Sequence, residues 1–199
     1  ITFDSYAELR DLFRQLKYAT DIHAVVITGA GGNFCSGGDV HEIIGPLIRL
    51  TAPELLAFTR MTGDVVKAMR KCPQPIIAAV NGAAVGLGAS LISLCDLAIA
   101  SDRAFLADPH LGVGLVPADG AALLWPLVMG AMRAKEYVFT GDRIPADTAL
   151  ALGLVNRVVP ADDLRAAAEL ARGQALLLPG CGHVPMIEQP AAYHAALRE

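Results

Sequence analysis

Two glycine-rich stretches hold the residues best placed to do chemistry. The first is Phe34-Cys35-Ser36-Gly37-Gly38-Asp39. The second, from Ala78 to Asp96, reads A-A-V-N-G-A-A-V-G-L-G-A-S-L-I-S-L-C-D. In the second, Gly86-Leu87-Gly88 opens a small-residue helix over 89–95. A turn entering a helix leaves the first backbone N–H groups without intrahelical partners and puts the positive end of the helix dipole there. Such an end attracts an anion, or a carbonyl oxygen acquiring negative charge. Glycines keep side chains away, so a ligand can approach the backbone. If the strand ends near Gly38 and Leu87 face one another, their two N–H groups form an oxyanion hole, where each donor is worth about 10²–10³ in rate. The bland alternative is a tight strand-to-helix turn packed in a core, because a lone G-x-G is weak evidence.

Other chemistries have less to stand on. Cys35, Cys72, Cys95 and Cys181 form no C-x-x-C pair, and reduced thiols are expected. His23, His41, His110, His183 and His194 show no metal-ligand spacing. The chain has 199 residues, 54% of them hydrophobic and 18% charged, which suits one folded domain with a large core. A net charge of −4 gives no reason to expect nucleic acid. The apolar run 83–100 is interrupted by glycine, serine and Asp96, so no membrane span is expected. Ile1 leads straight into an amphipathic helix with no signal peptide, and a cytoplasmic location is expected.

The elements that must position these stretches alternate. A helix is expected over 3–17, with apolar residues at Phe3, Tyr6, Leu9, Leu12, Phe13 and Leu16 and with Asp4 or Ser5 as N-cap. A buried strand follows at 23–28 and a short helix at 40–44, with Asp39 near its start. The long helix 51–72 has Thr51 as cap, Pro53 in the first turn and Glu54 three residues on. Its expected core stripe is Leu56, Met61, Val65 and Met69. Strands are read at 75–80, 97–101, 104–107 and 154–159. Val113 to Pro117 reads as an apolar loop. Helices are read at 120–128, 133–140, 146–152 and 162–172. Alternating strands and helices argue for an α/β layout.

The motifs taken together carry a resemblance. A-V-V-I-T-G-A-G-G-N-F-C-S-G-G-D-V, then a long helix, then P-I-I-A-A-V-N-G-A-A-V-G-L-G, then D-L-A-I-A-S, V-G-L-V-P, A-K-E-Y-V-F-T-G-D-R-I-P-A and A-L-G-L-V-N-R-V-V-P resemble the crotonase, or enoyl-CoA hydratase/isomerase, family in the same order. The resemblance covers about 1–172, as an acyl-CoA-binding core. It implies a spiral of β-β-α turns, assembled as trimers or hexamers. It also implies an acyl-coenzyme A thioester from fatty-acid or aromatic degradation as substrate, and no cofactor beyond the coenzyme A that the substrate brings. The thioester oxygen would sit between the N–H groups of Gly38 and Leu87. Ser36, Asp39, Val40 and Gly86 flank those donors and are the residues expected against the coenzyme A thioester. Asp39 also reads as structural, and His41 with Glu42 as a solvated helix face.

The departures from the family are informative. Its hydratases carry two glutamates that handle water and the α-proton. One falls at Ser90 and the other aligns with His110, so neither is present. A serine is no base by itself, whereas an imidazole, which titrates near 6.5, can serve as one. Asp119, in V-P-A-D-G, lies near a position where isomerases of the family keep an acid. The plain alternatives are a packed loop histidine for His110, a helix N-cap for Asp119 and a small core residue for Ser90. His110 or Asp119 is the expected proton carrier. The family's N-terminal hairpin is absent, so an N-terminally truncated spiral is expected. Residues 176–199 resemble instead the C-terminal segment of an α/β-hydrolase, with His183 as its base. That base would need a G-x-S-x-G serine, and G-A-S-L-I at 88–92 lacks the last glycine. The segment 173–199 is expected to be an atypical tail rather than a domain. Three readings result: an enoyl-CoA hydratase/isomerase, a thioester-binding protein that has lost turnover, and remotely a hydrolase fragment.

Overall fold

The computed structural model describes residues 2–39, 41, 43, 45–117 and 120–169. Helix α1 (Phe3–Leu16) leads to strand β1 (Val25–Thr28), the short helix α2 (Gly45–Leu47) and the long helix α3 (Ala52–Arg70). Strands β2 (Ile76–Val80) and β3 (Ala83–Val85) then precede helix α4 (Leu87–Leu94). Strands β4 (Leu97–Ser101) and β5 (Phe105–Ala107) precede three short helices, α5 (Gly120–Leu123), α6 (Trp125–Met129) and α7 (Ala131–Thr140). The chain continues through β6 (Ile144–Pro145), α8 (Ala146–Ala151), β7 (Arg157–Val159) and α9 (Leu164–Glu169).

The strands sort into two sheets. β1, β2, β4 and β7 form a parallel sheet in that spatial order, and β3, β5 and β6 form a second one. Successive strands alternate between them: β2 lies in the first sheet, β3 in the second, then comes α4; β4 lies in the first, β5 in the second, then come α5 to α7. β1 repeats the step, because Cys35 bridges to Ala84 of β3 before the next helices. This is a spiral of β-β-α turns within the α/β class.

The unbroken apolar run of β2 follows from burial on both faces. Ile76, Ala78 and Val80 belong to the main core with Phe13, Val65, Met69 and Trp125. Ile77 and Ala79 pack with Val26, Ile99 and, from α9, Leu164 and Ala168. Two side chains extend the sheet beyond its strands. Asp96 accepts from Ile76 N at 2.8 Å, and Asn156 accepts from Ala98 N at 2.8 Å.

Several sequence expectations need correction. Thr2, not Asp4 or Ser5, caps α1. Leu56 of the expected α3 stripe is exposed, while Val65 and Met69 are buried as expected. The Thr51–Glu54 capping box is present. β3 lies in a stretch read only as a turn, where two alanines and a single valine gave too short a strand signal. The expected helix over 120–128 divides into α5 and α6. α4 begins at Leu87, two residues earlier than expected, which puts Leu87 N–H in the first helical turn. Within 162–172, the described residues form a 3-10 turn at Ala161–Asp163 and then α9.

Candidate active site

The two glycine stretches meet. Phe34 N and Cys35 N donate to Ala83 O at 3.0 and 3.1 Å, and Val85 N donates to Cys35 O at 2.9 Å. Residues 34–38 therefore run beside β3 and reach the turn before α4. Gly37 has φ +90°, a conformation side chains disfavour, and a Cβ built on it would lie 3.1 Å from Val85 O and 3.8 Å from Leu87 N. Leu87 is the first residue of α4, so its N–H has no acceptor four residues back. Among the described residues, no acceptor meets the N–H of Gly38 or Leu87.

The loop leading to Gly37 is tied down by one side chain. Asn81 Oδ1 accepts from Gly29 N at 3.1 Å, and its Nδ2 donates to the carbonyls of Gly29, Gly31 and Asn33 at 3.0, 2.9 and 3.3 Å. In the sequence Asn81-Gly82 reads only as a strand breaker, and this role carries no local signal.

A third segment closes on the same turn. Gly86 N donates to Ala107 O at 2.9 Å. A Cβ on Gly86 would lie 3.7 Å from Pro109 Cδ. Asp108-Pro109-His110 thus packs against the residue that precedes Leu87. Asp108 is 1% exposed, and its Oδ1 lies 2.5 Å from His110 Nδ1 and accepts from His110 N at 3.1 Å. The backbone contact is an Asx-turn, a motif legible in D-P-H yet missed there. His110 keeps a partly accessible side chain.

Ser90 lies one turn along α4 and is buried. Its hydroxyl donates to Gly86 O at 3.2 Å and accepts from Gly120 N at 2.8 Å. It is more than a small core residue, because it joins α4 to the start of α5. Asp39 acts structurally: its Oδ1 accepts from His41 N at 2.8 Å and its carbonyl accepts from Ile43 N at 2.9 Å. Ser36 is exposed, and among the described residues no hydrogen bond to its side chain singles it out. His41 is exposed, as a solvated helix face requires. Val40, Glu42, Asp119 and His183, with the whole segment 173–199, lie outside the described residues.

The site offers backbone donors, one imidazole and one buried carboxylate. Among the described residues no group of His, Cys, Asp and Glu could hold a metal ion, and no helix is long and apolar enough to cross a membrane. Cys35, Cys72 and Cys95 are free thiols. Burial raises the Cys35 thiol above its ordinary range, and burial with the nearby Asp96 charge pushes Cys95 up to about 12. Neither suits a nucleophile.

Known proteins share both sequence and fold. The chain matches the enoyl-CoA hydratase/isomerase family over residues 1–190, past the point at 172 where the sequence resemblance fades. It is 33% identical over 170 residues to the short-chain-enoyl-CoA hydratase of Clostridium acetobutylicum, covering 84% of this chain and 64% of that one. An enoyl-CoA hydratase/isomerase from Mycobacterium paratuberculosis superposes with TM-score 0.78 at 37% identity, covering all of this chain and 76% of that one. An enoyl-CoA hydratase from Bacillus anthracis gives 0.78 at 32%, covering 86% and 65%. The chain spans about three fifths of the length of the curated relatives it matches. With its family match running over residues 1–190 and its strands wound as in these relatives, the chain belongs to the enoyl-CoA hydratase/isomerase family.

Proposed function

We propose that this protein binds an acyl-CoA thioester and moves a proton on it, in the manner of an enoyl-CoA hydratase/isomerase. The N–H groups of Gly38 and Leu87 stabilise the thioester oxygen as it becomes an enolate, and His110 carries the proton. The observation that carries the reading is the meeting of three segments. Gly37 lies against Leu87, and Pro109, the chain neighbour of His110, lies against Gly86, which supports putting the donors and the imidazole on one wall. Asp119 remains a second candidate for the proton.

Isomerisation suits these residues better than hydration. Adding water across a conjugated double bond needs one group to activate the water and another to deliver the α-proton. Ser90 stands at one of those positions with its hydroxyl already engaged by Gly86 O and Gly120 N. A 1,3-proton shift needs only one base that takes the α-proton and returns it to the γ-carbon. The test is to supply 3-enoyl-CoA and crotonyl-CoA separately. Appearance of conjugated absorbance from the first, with slow loss from the second, supports isomerisation. Fast hydration that is insensitive to His110→Ala overturns it.

A second reading, a thioester-binding protein without turnover, is favoured by the engaged Ser90. Calorimetric binding of an acyl-CoA with no reaction of either substrate would select it. Assembly as a homotrimer or hexamer belongs to the proposal as well. Leu127 and Met132, on α6 and α7, are more than 80% exposed, and Leu123 and Phe139 stand out nearby in sequence, an apolar set suited to burial against another copy. A cytoplasmic location completes the reading.

A further inference from the structure

Asp108 does more than an Asx-turn requires. The turn needs one oxygen, and Asn would supply it as well as Asp. The carboxylate is nevertheless buried at 1% exposure, its Oδ1 is shared between His110 N and His110 Nδ1, and its Oδ2 has no hydrogen-bond partner among the described residues. Burying a carboxylate is costly unless a proton donor or a cation answers it. What Asp adds over Asn here is negative charge beside the imidazole of the residue that follows Pro109, which itself packs on the glycine turn.

We infer that Asp108 is a positioning residue that holds His110 with its proton on Nδ1, so that Nε2 carries the lone pair that takes the substrate proton. The inference rests on the function proposed above. When the α-C–H bond of a 3-enoyl thioester breaks, its proton goes to Nε2 and its electron pair enters the dienolate, with charge on the thioester oxygen. The imidazolium so formed faces the Asp108 carboxylate, which stabilises it without taking its proton. Return of the Nε2 proton to the γ-carbon gives the conjugated 2-enoyl thioester, with no oxidant or co-reactant needed. A buried carboxylate that fixes the tautomer of a basic histidine, when neutralised in other enzymes, costs rate while leaving geometry intact.

The test separates the pair from the reaction. Full-length protein labelled with 15N-histidine gives the ring tautomer directly, the His110 signal being the one lost in His110→Ala. The expected ring is protonated on Nδ1; Asp108→Ala, which removes the shared oxygen, should abolish or reverse that pattern, whereas Asp108→Asn keeps an acceptor there and loses only the charge. With 3-enoyl-CoA, Asp108→Asn should lower kcat about 10²–10⁴-fold and leave KM within a few-fold. Asp108→Asn combined with His110→Ala should be no slower than His110→Ala alone, because the two act as a unit. A wild-type ring protonated only on Nε2, an unchanged ring in Asp108→Ala, or an unchanged kcat in Asp108→Asn overturns the inference. If Asp108→Asn does not fold, the wild-type spectrum alone decides. Absence of turnover in the wild type would refute the proposed function but not the tautomer assignment, so the two failures are distinguishable.

Discussion

The Ser90 hydroxyl accepts the Gly120 N–H at 2.8 Å, bridging the helix after the glycine turn to the helix that follows the His110 loop. A Cβ added at Gly120 would come within 3.0 Å of Ser90 Cα and Cβ, so the two residues are in close contact. Ser90→Ala leaves that N–H without its acceptor. The expected cost is about 1–3 kcal/mol, seen as a fall in Tm of roughly 2–4 °C per kcal/mol in a chain of this size.

Restoring both carboxylates tests which chemistry the site can hold. Ser90→Glu with His110→Glu should raise hydration of crotonyl-CoA by at least about 10², the low end for one acid–base group. Glutamate at 90 must displace the contact with Gly120, so overpacking should cost about 1–3 kcal/mol in the same variant. Loss of conjugated absorbance and a melting curve read both effects. No gain in hydration by a folded variant that binds the thioester would count against the alignment of these two positions.

Gly38→Pro removes one of the two proposed donors. Turnover should drop about 10²–10³-fold while the fold survives. Unchanged turnover in a folded protein would mean that the thioester oxygen lies elsewhere.

Asn81→Ala deletes one acceptor and three donor contacts to the loop 29–33 at once. The expected loss is about 1–3 kcal/mol of stability. Faster amide exchange at Gly29 should accompany it, since that N–H loses its partner. Unaltered exchange there would show that the loop is held by its own backbone.

Cys95 gives a pH dependence with a definite sign. Burial first and the Asp96 charge second push its thiol up to about 12 in the folded chain, against about 8.5 in an unfolded one. Above the lower value the unfolded state binds fewer protons, so stability falls as pH rises from about 8.5 towards 12. Denaturant melts at pH 8 and pH 10.5 should show a decline that is smaller in Cys95→Ala. Iodoacetamide at pH 8 should label Cys95 only after unfolding.

The fold was legible wherever local chemistry acts alone. Thr51, Pro53 and Glu54 announce α3, and the β-branched run after Pro75 announces β2, because caps and apolar runs are written in adjacent residues. β3 was not legible: Ala83 and Ala84 have little strand preference, one valine after them is too short a signal, and the three become a strand by pairing with β5. The approach of the two glycine stretches could be anticipated from their motifs, whereas the Ser90–Gly120 bridge and the ties of Asn81 join residues 30 or more positions apart. Asp108 is the instructive miss. D-P-H shows an Asx-turn on inspection, but burial of the carboxylate depends on packing that no neighbouring residue encodes.

The donors proposed to grip the thioester are peptide N–H groups, and a peptide N–H has no codon of its own. Only a change to proline deletes it, and Leu87 can be exchanged for many residues without touching its amide. Proton handling, by contrast, is assigned to the side chains at 108 and 110, each specified by a single codon. Inheritance therefore treats the two halves of the site differently: substrate grip is buffered against mutation, and reaction type is exposed to it. A saturation library selected first for acyl-CoA binding and then for turnover should show this split, with broad tolerance at 87 in both selections and narrow tolerance at 108 and 110 only in the second.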